Sequence, residues 1–187
     1  MIAPDHIVLL GDSYANGHAP DGTVGHLADA LCLPEVNRLA RSGSTAIEWA
    51  SDKDGMLTRA LYHPAPVVVM SLGGNDAFAA LKDGVVTLSE IVLPLSSLYY
   101  VMRILGPRRR IIVMLYPDPY CGARPQSASY HRLLIGALRA LVAAVPYAEP
   151  FAISPILGPQ HFDGSDIHPL PSGYRAIASA MRKTLFE

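Results

Sequence analysis

The residues Ile7-Val8-Leu9-Leu10 run apolar without a polar interruption and stop at Gly11-Asp12-Ser13. A strand that buries both faces belongs inside a parallel sheet covered by helices, and the switch to glycine, carboxylate and hydroxyl marks its C-terminal end. In open α/β sheets that edge is where ligands bind. Taken by itself the switch has a plainer reading: a turn at Gly11 and a serine cap on the next helix.

The same switch recurs further along. Val67-Val68-Val69-Met70-Ser71-Leu72 is β-branched and apolar, and it ends in Gly73-Gly74-Asn75-Asp76. Arg110-Ile111-Ile112-Val113-Met114-Leu115 runs into residues 116–126, a stretch with prolines at 117, 119 and 125 that is long and stiff enough to wall a pocket. Val36 to Ala40, interrupted by Asn37 and Arg38, and Ala148 to Phe151 are weaker strand candidates. Between these runs the apolar residues follow helical spacing. Val24, Leu27, Ala28 and Leu31 form one stripe, and Ile47 with Trp49 marks a second helix. Leu88, Ile91, Val92, Leu95, Tyr99, Met102 and Leu105 form another stripe, with Pro94 near its start or kinking it. Leu133 to Val142 and Tyr174 to Leu185 supply the last two. Strands alternating with helices predict an α/β protein, a three-layer α/β/α sandwich around a mostly parallel sheet of about five strands. Residues 1–187 read as a single domain without linker or repeat.

Composition narrows what such a domain can do. Half of the 187 residues are hydrophobic and 17% are charged, which suits a packed core rather than a disordered chain. A formal net charge of -1 offers no field for a polyanion, so nucleic acid is not an expected partner. Arg108-Arg109-Arg110 lies between a helix and a strand, where a structural role is the simpler reading. Cys32 and Cys121 lack the spacing of a zinc site, although one bridge between them is open. His6, His18, His26, His63, His131 and His161 form no metal-ligand pattern. Gly73-Gly74 has neither the G-x-G-x-x-G pattern nor a Walker lysine to make a nucleotide site. Trp49, the only tryptophan, is expected to pack. No segment is expected to reach the apolar length of a membrane span. With Met1 as the native start the expected location is the cytoplasm; with a signal peptide removed it is secreted or periplasmic.

Four polar clusters sit in loops: Ser13, Gly43, Asn75, and Asp166 with His168. A parallel sheet brings strand ends to one edge, so residues remote in sequence can meet there. A serine hydroxyl needs a base to become a nucleophile, and His168 is the candidate. A carboxylate on the other ring nitrogen would fix the tautomer and stabilise the imidazolium. The Ser13 and Gly43 backbone N–H groups and the Asn75 amide could receive an oxyanion.

These residues resemble the SGNH or GDSL hydrolases. Gly11-Asp12-Ser13 is similar to the family's first block, Gly43 to the centre of its second, Gly73-Gly74-Asn75-Asp76 to its third, and His168-Pro169 with Gly173-Tyr174 to its last. The blocks stand in family order over nearly the whole chain. The resemblance implies a flavodoxin-like fold, with Ser13 as nucleophile, His168 as base, and Ser13, Gly43 and Asn75 as oxyanion hole. It implies hydrolysis of a small-molecule acyl ester or thioester, with no metal and no organic cofactor. The sequence departs from the pattern at one place. The family's carboxylate stands three residues before the histidine, where this chain has Ser165; Asp166 stands two before and Asp163 five before. Asp166 is the expected partner with Asp163 in reserve, and a dyad assisted by a backbone carbonyl is a third arrangement. Asp12 and Asp76 could touch substrate, but capping helices or bonding loop amides is the commoner role for such carboxylates. The nucleophile sequence is not a Gly-x-Ser-x-Gly elbow, which argues against an α/β-hydrolase.

Three activities fit this machinery: a serine esterase, a thioesterase and a carbohydrate O-deacetylase, since pocket shape sets the acyl and leaving groups. A non-catalytic binding domain on the same fold is the reading from another class. Oligomeric state is not legible in the sequence.

Overall fold

Four parallel strands, β1 (Ile7–Gly11), β2 (Val67–Ser71), β3 (Arg110–Leu115) and β4 (Ala148–Ala152), lie side by side in that order in the computed structural model. It describes residues 6–82, 87–117, 125–164 and 166–186. Val8, Leu9, Leu10, Val68, Val69, Met70, Ile111, Ile112 and Val113 are all withdrawn from water, as unalternating apolar runs require. Each such side chain contributes on the order of 2 kcal/mol by leaving solvent.

The expected fifth strand is present at Ala148–Ala152, while the expected second strand, Val36 to Ala40, is corrected. Within Val36 to Ala40, Glu35–Asn37 forms a 3-10 turn, and a lone parallel bridge joins Arg38 to Leu9 on the edge of β1 that β2 leaves open. Leu39 N and Arg41 N still donate to Leu9 O at 3.0 Å and Gly11 O at 2.8 Å. The reason lies in Asn37, whose buried side-chain amide takes the Ile7 carbonyl at 2.6 Å and so replaces a backbone rung. Counting that bridge as a strand position gives the order second, first, third, fourth, fifth, the flavodoxin-like arrangement.

The helices are α1 (Ser13–Asn16), α2 (His26–Leu31), α3 (Ala46–Ala50), α4 (Met56–Tyr62), α5 (Gly74–Lys82), α6 (Leu88–Leu105), α7 (Pro125–Ala143) and α8 (Pro171–Phe186). α2 packs on α8, while α3, α4, α5 and α7 pack against α6, which gives a helical layer on each face of the sheet. Three predicted stripes are narrower than their spacing suggested. α2 begins at His26, so Val24 is exposed ahead of it, and Val92, Tyr99 and Leu133 also face outward. Trp49 packs as expected, fully buried, with its Nε1–H on Ser44 Oγ at 3.1 Å. Pro94 lies inside α6 rather than at its start.

α6 corrects another expectation, since its 18 residues are long and apolar enough to cross a membrane by length and composition. Glu90, Pro94 and Arg103 interrupt its sequence and hid this. In the fold, Leu98, Val101, Met102 and Leu105 of this helix are buried in the core. The arginine run has structural partners. Arg109 caps the end of α4, donating to Ala60 O at 2.6 Å, Leu61 O at 2.8 Å and His63 O, while Arg110 pairs with Glu149 at 2.6 Å. Cys32 is an exposed free thiol, and Cys121 lies outside the described residues, as does most of the expected 116–126 pocket wall.

Candidate active site

The site starts where β1 and β2 run out together. Gly11 has φ +110°, and a Cβ there would fall 1.9 Å from Ser71 O, so only glycine lets the backbone turn this close to its neighbour. Asp12 N then donates to Ser71 O at 2.8 Å. Asp12 caps α1, its Oδ1 accepting from Tyr14 N at 3.1 Å, and Ala15 N donates to Ser71 Oγ at 2.9 Å. The Tyr14 and Ala15 amides are thus spent. Ser13 N–H stands at the first helical position, where no intrahelical carbonyl reaches it. Ser13 is 8% exposed.

His168 comes from the loop before α8, 155 positions away, and its Nε2 lies 2.8 Å from Ser13 Oγ. Its Nδ1 lies 3.0 Å from Asp166 Oδ2, and Asp166 Oδ1 accepts from Ile167 N at 2.5 Å. Tyr14 ties this loop down, donating its hydroxyl to Ile167 O at 2.7 Å. The short Asp-x-His spacing works because the carboxylate folds back over its own next amide. Burial pushes the Asp166 carboxyl up, but the His168 bond, the His168 charge and the local amides outweigh it and hold the pKa below the ordinary value. A carboxylate on Nδ1 selects the Nδ1–H tautomer and leaves Nε2 to accept the serine proton. Of the two aspartates weighed from the sequence, Asp166 is bonded to His168, whereas Asp163 is exposed and Ser165 lies outside the described residues.

Gly43 occupies the third position of a turn closed by Ser44 N on Arg41 O at 3.2 Å, with φ +82°, the sign a type II turn needs there. Three anchors hold the turn against the nucleophile loop. Ser44 Oγ and Arg41 N both donate to Gly11 O at 2.8 Å, and Asn16 Nδ2 donates to Ser42 Oγ at 3.0 Å. Asn75, from the first turn of α5, donates through Nδ2 to Ser44 O at 2.9 Å. One of its two amide hydrogens is used this way, and the bond seats the side chain beside the Gly43 turn. Ser13, Gly43, Asn75, Asp166 and His168 therefore belong to one hydrogen-bonded assembly at the C-terminal edge of the sheet.

Beneath it lies a buried network that sequence reading did not assemble. Asp12, 1% exposed, accepts from Ser71 Oγ at 2.6 Å and from the Tyr116 hydroxyl, which itself accepts from Gly74 N at 3.0 Å. Burial raises the Asp12 pKa to about 6 against the pull of these bonds, and burial with the Asp12 charge raises the Tyr116 phenol well above its ordinary value. Asp76 accepts from Ala46 N at 2.8 Å at the start of α3, and burial pushes its carboxyl up. Both carboxylates thus bond helix-start amides, the commoner alternative weighed from the sequence. Ser71 and Tyr116 could have been found, since each stands at the C-terminal end of a strand. His18, weighed only as a metal ligand, lies with its ring centroid 4.7 Å from that of His168. Among the described residues, no three His, Cys, Asp or Glu side chains are grouped so as to hold a metal ion.

Solved structures with this architecture include esterases. Axe2, an acetylxylan esterase from Geobacillus stearothermophilus, superimposes with TM-score 0.68 at 16% identity, over 97% of this chain and 94% of that one. An aryl esterase from M. smegmatis gives 0.69 at 20% identity, over 96% and 97% of the two chains. A family 3 carbohydrate esterase from Clostridium thermocellum gives 0.64 at 20% identity, over 95% and 92%. The fold is that of the SGNH hydrolases. No curated protein matches the chain by sequence. The GDSL-like lipase/acylhydrolase family matches residues 9–176, and the chain belongs to that family.

Proposed function

We propose that this chain is a serine esterase that hydrolyses acyl esters through an acyl-enzyme. The observation that carries the reading is the unbroken relay from Asp166 through His168 to Ser13, with bonds of 3.0 and 2.8 Å. Ser13 Oγ attacks the acyl carbon as its proton passes to His168 Nε2. The carbonyl oxygen becomes an oxyanion facing Ser13 N–H, Gly43 N–H and the second hydrogen of Asn75 Nδ2. His168 then returns the proton to the departing alkoxide, and water repeats the sequence to release the acid. Asp166 holds the ring and balances its charge while it carries the proton.

A small acyl group on a sugar is the second reading, favoured by the acetylxylan and carbohydrate esterases among the structural neighbours. The test is a substrate panel of p-nitrophenyl esters from acetate to octanoate, an acetylated xylooligosaccharide and an acyl thioester, run with wild type and Ser13→Ala. Turnover that disappears in Ser13→Ala, with a fluorophosphonate adduct on Ser13, is expected. An intact wild-type protein that neither turns over any of these nor takes the label refutes the esterase. Steady turnover by wild type but not by His168→Ala removes the non-catalytic alternative.

A further inference from the structure

His18 is held by its backbone at both ends, N–H to Ser13 O at 2.9 Å and carbonyl from the Tyr174 hydroxyl at 2.7 Å. Its ring is thereby fixed between two parts of the site. One face is turned to His168, with centroids 4.7 Å apart and planes inclined by 49°. Its Nδ1 lies 3.1 Å from Ser42 Oγ, the residue before Gly43, and that oxygen already accepts from Asn16 Nδ2 at 3.0 Å. A hydroxyl has one proton and two lone pairs, so Ser42 Oγ can accept from Asn16 and at the same time donate to Nδ1 of a neutral His18 in its Nε2–H tautomer. Protonating His18 would turn that bond around and put a cation against the ring of the base.

We propose that His18 is a positioning residue of this site, a neutral imidazole that braces the face of His168 and fixes the Gly43 turn through Ser42. The inference rests on the acyl-transfer reading above. In that chemistry His168 carries a proton in both tetrahedral intermediates, so a second cation beside it opposes each step. The ionisable groups facing His18 are His168 and Asp166 from the loop before α8 and Asp21 from its own loop; the Gly43 turn presents the Ser42 hydroxyl and α8 the Tyr174 phenol. Burial, and then the His168 charge, lower the His18 pKa, while the two carboxylates pull the other way.

Two measurements separate this from a passive contact. In wild type and in His168→Gln, the imidazole resonance of His18 is titrated by NMR, which requires no turnover. Removing the His168 charge should raise the His18 midpoint, because that charge is one of the groups that hold it down. The acid limb of log kcat/KM should approach a slope of two in wild type and one in His18→Phe. His18→Phe should also lower kcat about tenfold with KM little changed, because a loosened Gly43 turn misplaces an oxyanion donor. His18→Gln, which can still bond Ser42, should recover most of that kcat but keep the slope of one. An unmoved His18 midpoint, or a wild-type slope of one, overturns the bracing; an undiminished kcat in Ser42→Ala overturns the link to Gly43. Failure of the esterase reading shows instead as absent turnover and labelling in wild type, and the NMR coupling still decides the contact.

Discussion

The buried carboxylate of Asp12 gives a test that needs no substrate. Its pKa of about 6 in the fold, against 3.8 in an unfolded chain, means that the folded protein binds the extra proton between those values. Stability from this source is fully present below 3.8 and is lost as pH rises through about 6. The gap corresponds to about 3 kcal/mol, and for a chain of this length to roughly 6–12 °C in Tm. The perturbation is Asp12→Asn, which cannot ionise. It also deprives the Tyr116 hydroxyl of its acceptor, but that penalty is the same at every pH and shifts the curve without tilting it. Urea unfolding of both proteins, read from the fluorescence of the buried and solitary Trp49, is repeated from pH 4 to 7.5. Histidine titrations common to both proteins cancel in the difference. Wild type should lose about 2 kcal/mol relative to the variant across that range, short of the full gap because pH 4 still lies above 3.8. A difference that stays flat, or that favours wild type as pH rises, refutes the assignment of a raised Asp12 pKa.

Tyr116→Phe strips the phenol from both Asp12 and Gly74 N, leaving two buried groups short of a partner, and should lower stability by about 2–4 kcal/mol in the same unfolding assay. Asp166→Asn presents the wrong tautomer to Ser13 and should lower kcat roughly 10²- to 10⁴-fold with stability little changed, as judged by ester turnover beside a thermal melt. Arg110→Ala removes a half-exposed ion pair with Glu149 and a bond to Thr184 O, and a melt should register no more than about 1 kcal/mol.

The strongest strands were legible because burial on both faces leaves no polar alternation, and residues 7–10, 67–72 and 110–115 all became strands within a residue or two. The residues of the four polar clusters were legible for the same reason, standing where those runs end or in loops beside them. Val36 to Ala40 misled because the amide of Asn37 does a backbone's work, which no propensity records. The helical stripes were overdrawn where spacing alone could not say that α2 starts after Val24 or that α6 turns Val92 and Tyr99 outward. The partnership of Asp166 with His168 was chosen over Asp163 from spacing, yet what makes it work is the Asp166 bond to Ile167 N and the grip of Tyr14 on that loop. Asp12, Ser71 and Tyr116 meet only once three strand ends are aligned, so their network is a product of register rather than of any local motif.

The distance along the chain between Ser13 and His168 has a consequence for biosynthesis. A nascent polypeptide emerging from the ribosome carries its serine well ahead of the imidazole that pairs with it, which follows 155 positions later. Pairing of β1 with β2 and the seating of the Gly43 turn can precede it, but the relay stays open until the segment leading into α8 docks beside α2. Until that docking the hydroxyl has no imidazole beside it, so the Ser13–His168 contact follows assembly of the sheet rather than preceding it.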